Sequence, residues 1–362
     1  MRASTLLPTL VLVCACGETV SDDGFIPTPG QQMGLVLTTT YETSSVDAFT
    51  TDDPCHLRHN LVLASGDATI RSIGDRGLVI NRGDSNLQVI GANLTPGIQV
   101  ALPGCEPHDA TLIADDTVLV TCYQGTTLML VDIHDGTVTA AADLSSFADA
   151  DGKPEMDQLA IDGDRVYVTL QRLDPFFTPT GNGLVAVLDL PALTLLDVDT
   201  TTPGVQAFEL PLTNPYTRLS KGPDGRLYVG CVGDWLAYAG MGVVALDPAT
   251  GQAEIVADGS TLGGPTNEVV LDRSGAPIGL VSTPDGWNVQ EMRVVKLADT
   301  TEVVHTIAGF NAAGLALDNR DRIYVGNRSL DNDAGLWSVN TATGQTTGPC
   351  ATGLPPFAIV VF

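Results

Sequence analysis

Arg226-Leu-Tyr-Val-Gly230 is followed by Gly242-Val-Val-Ala-Leu-Asp-Pro-Ala-Thr-Gly251. Read on its own, this is a β-strand, a loop, a second strand and an Asp-Pro-x-x-Gly turn. β-Branched and aromatic residues fill the runs, and Gly, Asp and Pro punctuate them. The phrase returns as Arg322-Ile-Tyr-Val-Gly326 with Gly335-Leu-Trp-Ser-Val-Asn-Thr-Ala-Thr-Gly344, and in reduced form as Arg165-Val-Tyr-Val-Thr169 with Leu184-Val-Ala-Val-Leu-Asp189. Weaker copies hold Gly77-Leu-Val-Ile-Asn81, Val118-Leu-Val-Thr-Cys-Tyr123 and Met292-Arg-Val-Val-Lys-Leu297. Each unit reads as four short strands, and the period of about 42 to 60 residues is the blade spacing of a β-propeller. No stretch has sustained helical periodicity with caps, which sets α/β folds aside.

The two ends of the chain complement each other. Pro355-Pro-Phe-Ala-Ile-Val-Val-Phe362 aligns with the first strand of a unit and then stops. Gly34-Leu-Val-Leu-Thr-Thr, Ser45-Val-Asp-Ala-Phe and Asn60-Leu-Val-Leu-Ala supply the strands it lacks. Six internal units and one composite therefore predict an all-β, seven-bladed propeller of four-stranded blades over residues 33–362. Its ring is closed by N- and C-terminal strands in one blade, leaving no sheet edge open.

Of 362 residues, 44% are hydrophobic but only 5% aromatic, so the core is expected to be mainly aliphatic. The 38 Gly and 22 Pro suit a chain that turns every few residues. Acidic residues outnumber basic ones 43 to 17, a net charge of −26. Such a surface repels phosphate backbones and anionic headgroups, which argues against nucleic acid as a partner.

Residues 1–15 have the layout of a cleaved signal: Arg2, a short apolar stretch from Leu6 to Val13, then small residues. Val13-Cys14-Ala15-Cys16 resembles a bacterial lipobox, which implies that Cys16 becomes the lipid-modified first residue. An ordinary secretory signal cleaved nearby is the alternative. Gly17, where inner-membrane lipoproteins carry Asp, favours the outer membrane by the same resemblance. Residues 16–32 then form a flexible tether, and the lipid is the only expected membrane contact. Export makes disulfides possible for Cys55, Cys105, Cys122, Cys231 and Cys350, an odd set that leaves at least one without an intramolecular partner. Cys105, entering the second internal unit, and Cys122, near the upper end of its second strand, are one candidate pair.

The Val-Tyr-Val and Val-Asp-x-x-x-Gly phrases resemble the YVTN/quinoprotein-like and NHL-like propeller superfamily, whose members include scaffolds, sensors, lactonases and oxidoreductases. Propeller geometry puts the start of every innermost strand at one mouth of the central channel. Asp67, Asp109, Asp157, Asn267 and Glu268 stand there, with His108, Gln158, Thr217 and Arg218 beside them. Converging carboxylates and amides suit Ca²⁺ or Mg²⁺. The rim is also similar to senescence-marker/gluconolactonase propellers, which would imply a metal-dependent hydrolase. Asp and Asn at strand entries also cap tight turns without any ligand. No Gly-x-Ser-x-Gly, Ser-x-x-Lys or HExxH pattern is present.

Three long loops open on the same face. They carry Phe176 and Phe177, Trp235 and Tyr238, and Trp287. Aromatic loops beside an acidic rim suggest a recognition face for a cationic or carbohydrate-like ligand, a small molecule or an envelope protein. The rings could instead fold down as small satellite cores. The leading expectation is a lipid-anchored binding or scaffolding module of the cell envelope.

Overall fold

The computed structural model describes residue 25 and residues 30–362, apart from 200, 201, 203, 205, 206, 287 and 298–300. The signal stretch, Cys16, most of the tether and Trp287 thus lie outside the described residues. The repeat phrase folds as its composition dictates. Leu227–Cys231 and Gly242–Leu246 pair antiparallel, and every residue in both is buried. Middle strands of a blade are covered on both faces by neighbouring blades, so apolar runs replace alternation. The Asp247 turn closes the hairpin beyond them. Gly251 N–H donates to the Asp247 carbonyl, the Asp247 carboxylate accepts from Ala249 N–H and Thr250 Oγ1, and Gly251 takes a φ of 72°.

Among the described residues the strands form seven antiparallel sheets, each with a four-strand path. The innermost strands of the six internal blades are Ala68–Ile73, Pro107–Ala114, Met156–Asp162, Ser220–Lys221, Thr266–Leu271 and Ala312–Leu317. In the seventh blade, Pro356–Val361 is innermost and pairs with Met33–Thr39. Ser44–Thr50 and Leu57–Arg58 follow outward. Val36 faces Ile359 and Leu35 faces Val360 in that ladder. The last strand lies between Ala312–Leu317 and Ala68–Ile73, which closes the ring as the complementary ends predict.

Two disulfides reinforce this plan. Cys105 and Cys122 are joined within the second internal blade. Cys55 is joined to Cys350, tying the outer part of the closing blade to the last strand of the sixth, 295 positions away. Cys231 is a buried free thiol, pushed up by burial alone and therefore inert. Asp47, fully buried in the closing blade, accepts from His59 Nδ1 at 2.9 Å, Asn60 N–H at 3.0 Å and Gly353 N–H at 2.7 Å. That one carboxylate pins the turn before the last strand to the N-terminal strands.

Candidate ligand-binding site at the channel mouth

The innermost strands begin at one face, and their first side chains line the narrow throat of the channel. Thr69, Arg71, His108, Asp157 and Arg218 lie on or beside these strands, and Arg82, just after the second strand of its blade, joins them in the throat. The expected acidic rim is therefore matched by arginines. Arg71 Nε donates to Asp109 Oδ1 at 2.6 Å, and its Nη2 donates to Gln158 Oε1 at 2.8 Å. Asp109 Oδ2 accepts from Leu159 N–H at 2.8 Å, so both its oxygens are engaged. Asp157 accepts from His108 Nδ1 at 3.0 Å, Gln158 Nε2 at 2.9 Å and Gln171 Nε2 at 2.8 Å. Burial opposes protonation of His108, but its bonds to Asp157 and Glu106 outweigh burial and raise its pKa. Its ring stacks on Tyr123 with centroids 4.0 Å apart.

The remaining rim residues differ in kind. Asn267 donates its amide to Ser282 Oγ at 3.1 Å. Asp67 is exposed and stands 3.3 Å from Arg82 Nε. Glu268 is enclosed by the channel wall, and burial raises its pKa against the pull of Arg218 and Arg71. Arg218 donates from Nη2 to the Ile70 carbonyl at 3.0 Å, and burial together with Arg71 lowers its pKa to about 10.

These donors do not fit a divalent cation. The carboxylates of Asp109 and Asp157 are each held through both oxygens, and Arg71, Arg82 and Arg218 would repel one. Among the described residues, a compact carboxylate group exists elsewhere. Asp149, Asp151 and Glu155, in the linker entering the third internal blade, bring ligand oxygens within 4.8 Å of one another. Burial and the neighbouring Asp151 and Asp149 push the Glu155 carboxyl up to about 7.

Above the throat the channel widens into a cavity of about 150 Å³, open at its mouth. It shares Thr69, Arg82, Tyr216, Asn267 and Glu268 with the throat and adds Tyr41, Trp235, Phe310, Arg328 and Phe357. Tyr216 and Trp235 meet edge to face at 6.2 Å. Trp235 is the one ring of the three predicted loops that lines this cavity among the described residues. Phe176 and Phe177 project into solvent on their own short hairpin, 85% and 64% exposed, outside the cavity lining. Tyr238 is half-buried, its hydroxyl 3.4 Å from the Gly286 carbonyl of the next loop.

Most of the site came from places with no signal in loop length. Tyr41 occupies a tight turn, Phe310 follows Gly309 between blades, and Tyr216 precedes an innermost strand. A signal did exist for two of the arginines. Asn81-Arg82 and Asn327-Arg328 both end the second strand of their repeat, and that position faces the mouth.

No family model and no curated protein matches the chain. Solved structures resemble it at low identity. A candidate 6-phosphogluconolactonase from Bacteroides fragilis aligns over 93% of this chain and 99% of its own, with 14% identity and a TM-score of 0.61. Hydrazine synthase from Kuenenia stuttgartiensis aligns over 81% and 88%, with 14% identity and a TM-score of 0.59. Virginiamycin B lyase from Staphylococcus aureus aligns over 77% and 82%, with 9% identity and a TM-score of 0.52. At these identities the likeness shows the fold alone. The chain is a seven-bladed β-propeller.

Proposed function

We propose that this protein is a lipid-tethered propeller of the cell envelope that binds a small molecule at its channel mouth. The observation that carries the reading is the cavity of about 150 Å³, walled by aromatic rings and floored by polar side chains. A concave site that combines aromatic wall with a few convergent polar groups suits a small molecule better than a flat protein partner. A metal-dependent hydrolase is the weaker reading, because the rim carboxylates are already held by arginine, backbone and amide partners. The lipid anchor at Cys16 and the outer-membrane address rest on the N-terminal sequence.

Thermal melting of the full chain in detergent, against panels of sugars, aromatic acids and aromatic amines, tests the proposal. One class should raise the melting temperature in a saturable way, since a ligand at 100 times its Kd adds about 2.7 kcal/mol. Trp235→Ala should weaken that shift while leaving the ligand-free melting temperature nearly unchanged. A panel without any saturable shift, or a shift indifferent to Trp235→Ala, would overturn the proposal.

A further inference from the structure

We infer that the ligand is a small organic anion with an apolar body, its charged group seated against Arg328 and Arg82. The inference rests on reading the cavity as a binding site and adds the ligand's chemical class. The two arginines occupy the same place in the repeat, on the blades flanking the closing blade, and both line the cavity.

Arg328 is held in place with nothing negative to hold. Its guanidinium carbon lies 4.5 Å from the Tyr41 ring centre and 5.1 Å from that of Phe357, so two aromatic faces fix it. Nη2 stands 3.4 Å from the Thr39 carbonyl. Nη1 is buried without a hydrogen-bond partner, and no carboxylate pairs with this group among the described residues. Burial lowers its pKa, yet a guanidinium remains charged at neutral pH. Arg82 Nε is likewise buried without a hydrogen bond, because Asp67 at 3.3 Å lies off the N–H direction. A buried donor left unpaired is costly, so such a group takes an acceptor from water, an ion or a ligand.

The surroundings select the rest of the ligand. Tyr216, Trp235, Leu280, Met292 and Phe310 supply apolar wall beside the two guanidinium groups. Glu268 is the acid within the cavity, and burial raises its pKa against the pull of Arg218, Arg71 and Arg82. Asp67 stays on the exposed rim. In a chain with 43 acidic and 17 basic residues, the cavity lining holds two arginines, Arg82 and Arg328, and one acid, Glu268. A cationic ligand would meet both guanidinium groups. A carboxylate or sulfonate on an aromatic or aliphatic body would give the idle N–H groups acceptors.

The test is calorimetric titration of the full chain in detergent, with protein-free micelles as blank, using 2-naphthoate and its uncharged analogue 2-naphthamide. Naphthoate should bind one to one, and naphthamide about tenfold or more weaker, the effect of losing a charge-assisted hydrogen bond. Arg328→Met keeps the stem between Tyr41 and Phe357 and should weaken naphthoate by a similar factor without changing naphthamide. The comparison on the unsubstituted protein stands even where that variant does not fold. Naphthamide binding as tightly as naphthoate would remove the anion seat and leave the binding site. Failure of both probes, with another class stabilising the protein, would do the same. Failure of every class would remove both conclusions. A peptide with a free aromatic C-terminus displacing naphthoate at tenfold lower concentration would assign the seat to a protein terminus instead.

Discussion

Replacing Cys55 and Cys350 together by Ala removes the bridge that spans the ring closure. The two residues are 295 positions apart, whereas Cys105 and Cys122 are separated by 17. Chain entropy restricts the unfolded state by about 5–6 kcal/mol for the longer loop and about 3 kcal/mol for the shorter, both as upper limits. Removing the long bridge should therefore lower stability more than removing the short one. The protein should still fold, because the ladder between Met33–Thr39 and Pro356–Val361 continues to hold the ends. Urea unfolding of the two double variants, with and without reductant, reads the difference as a shift in midpoint. Reductant should bring the parent down to the level of a variant lacking both bridges. A long-bridge variant as stable as the short-bridge variant would refute the view that this disulfide locks the closure.

Deleting residues 356–362 removes the innermost strand of the closing blade, including buried Ile359 and Val360. At about 1.5–3 kcal/mol for each such side chain, plus the ladder, the ring should open and become protease-sensitive. Parental protease resistance would contradict this. Glu155, only 3% exposed, is pushed up to about 7 in the folded state, so the native protein binds the extra proton. Its contribution to stability is full below the ordinary carboxyl value and is lost as pH rises through about 7, on the order of 3 kcal/mol. Glu155→Gln should flatten the melting temperature between pH 4.5 and 7, and an unchanged slope would assign it to other groups. Cys16→Ser should abolish incorporation of radiolabelled fatty acid, and persistent labelling would remove the lipid anchor.

The fold was legible because the information for it is local and repeated. Leu227–Cys231 and Arg322–Asn327 carry nearly the same phrase, and each is buried on both faces for the same reason. Closure was legible because the lone strand at residues 356–361 and the N-terminal strands are complementary. The site was less so. Asp109 and Asp157 could be placed on the rim, but their state depends on side chains distant in sequence. Arg71 reaches Asp109 across 38 positions and Gln158 across 87. Tyr41, Phe310 and Arg328 converge from three separate turns, and only the ring brings them to one cavity. Loop length pointed to Phe176 and Phe177, but their hairpin turns them outward, away from the cavity lining.

The channel mouth as a binding site, with the charged end of its ligand at Arg328, is the central proposal for this protein. An anomalous difference map from crystals of the protein soaked in 4-iodobenzoate tests this directly. An iodine peak is expected inside the cavity, near Tyr216 and Trp235, with the carboxylate turned toward Arg328. Iodine found only on the outer surface, or in the cavity with the carboxylate turned away from both Arg82 and Arg328, would contradict it.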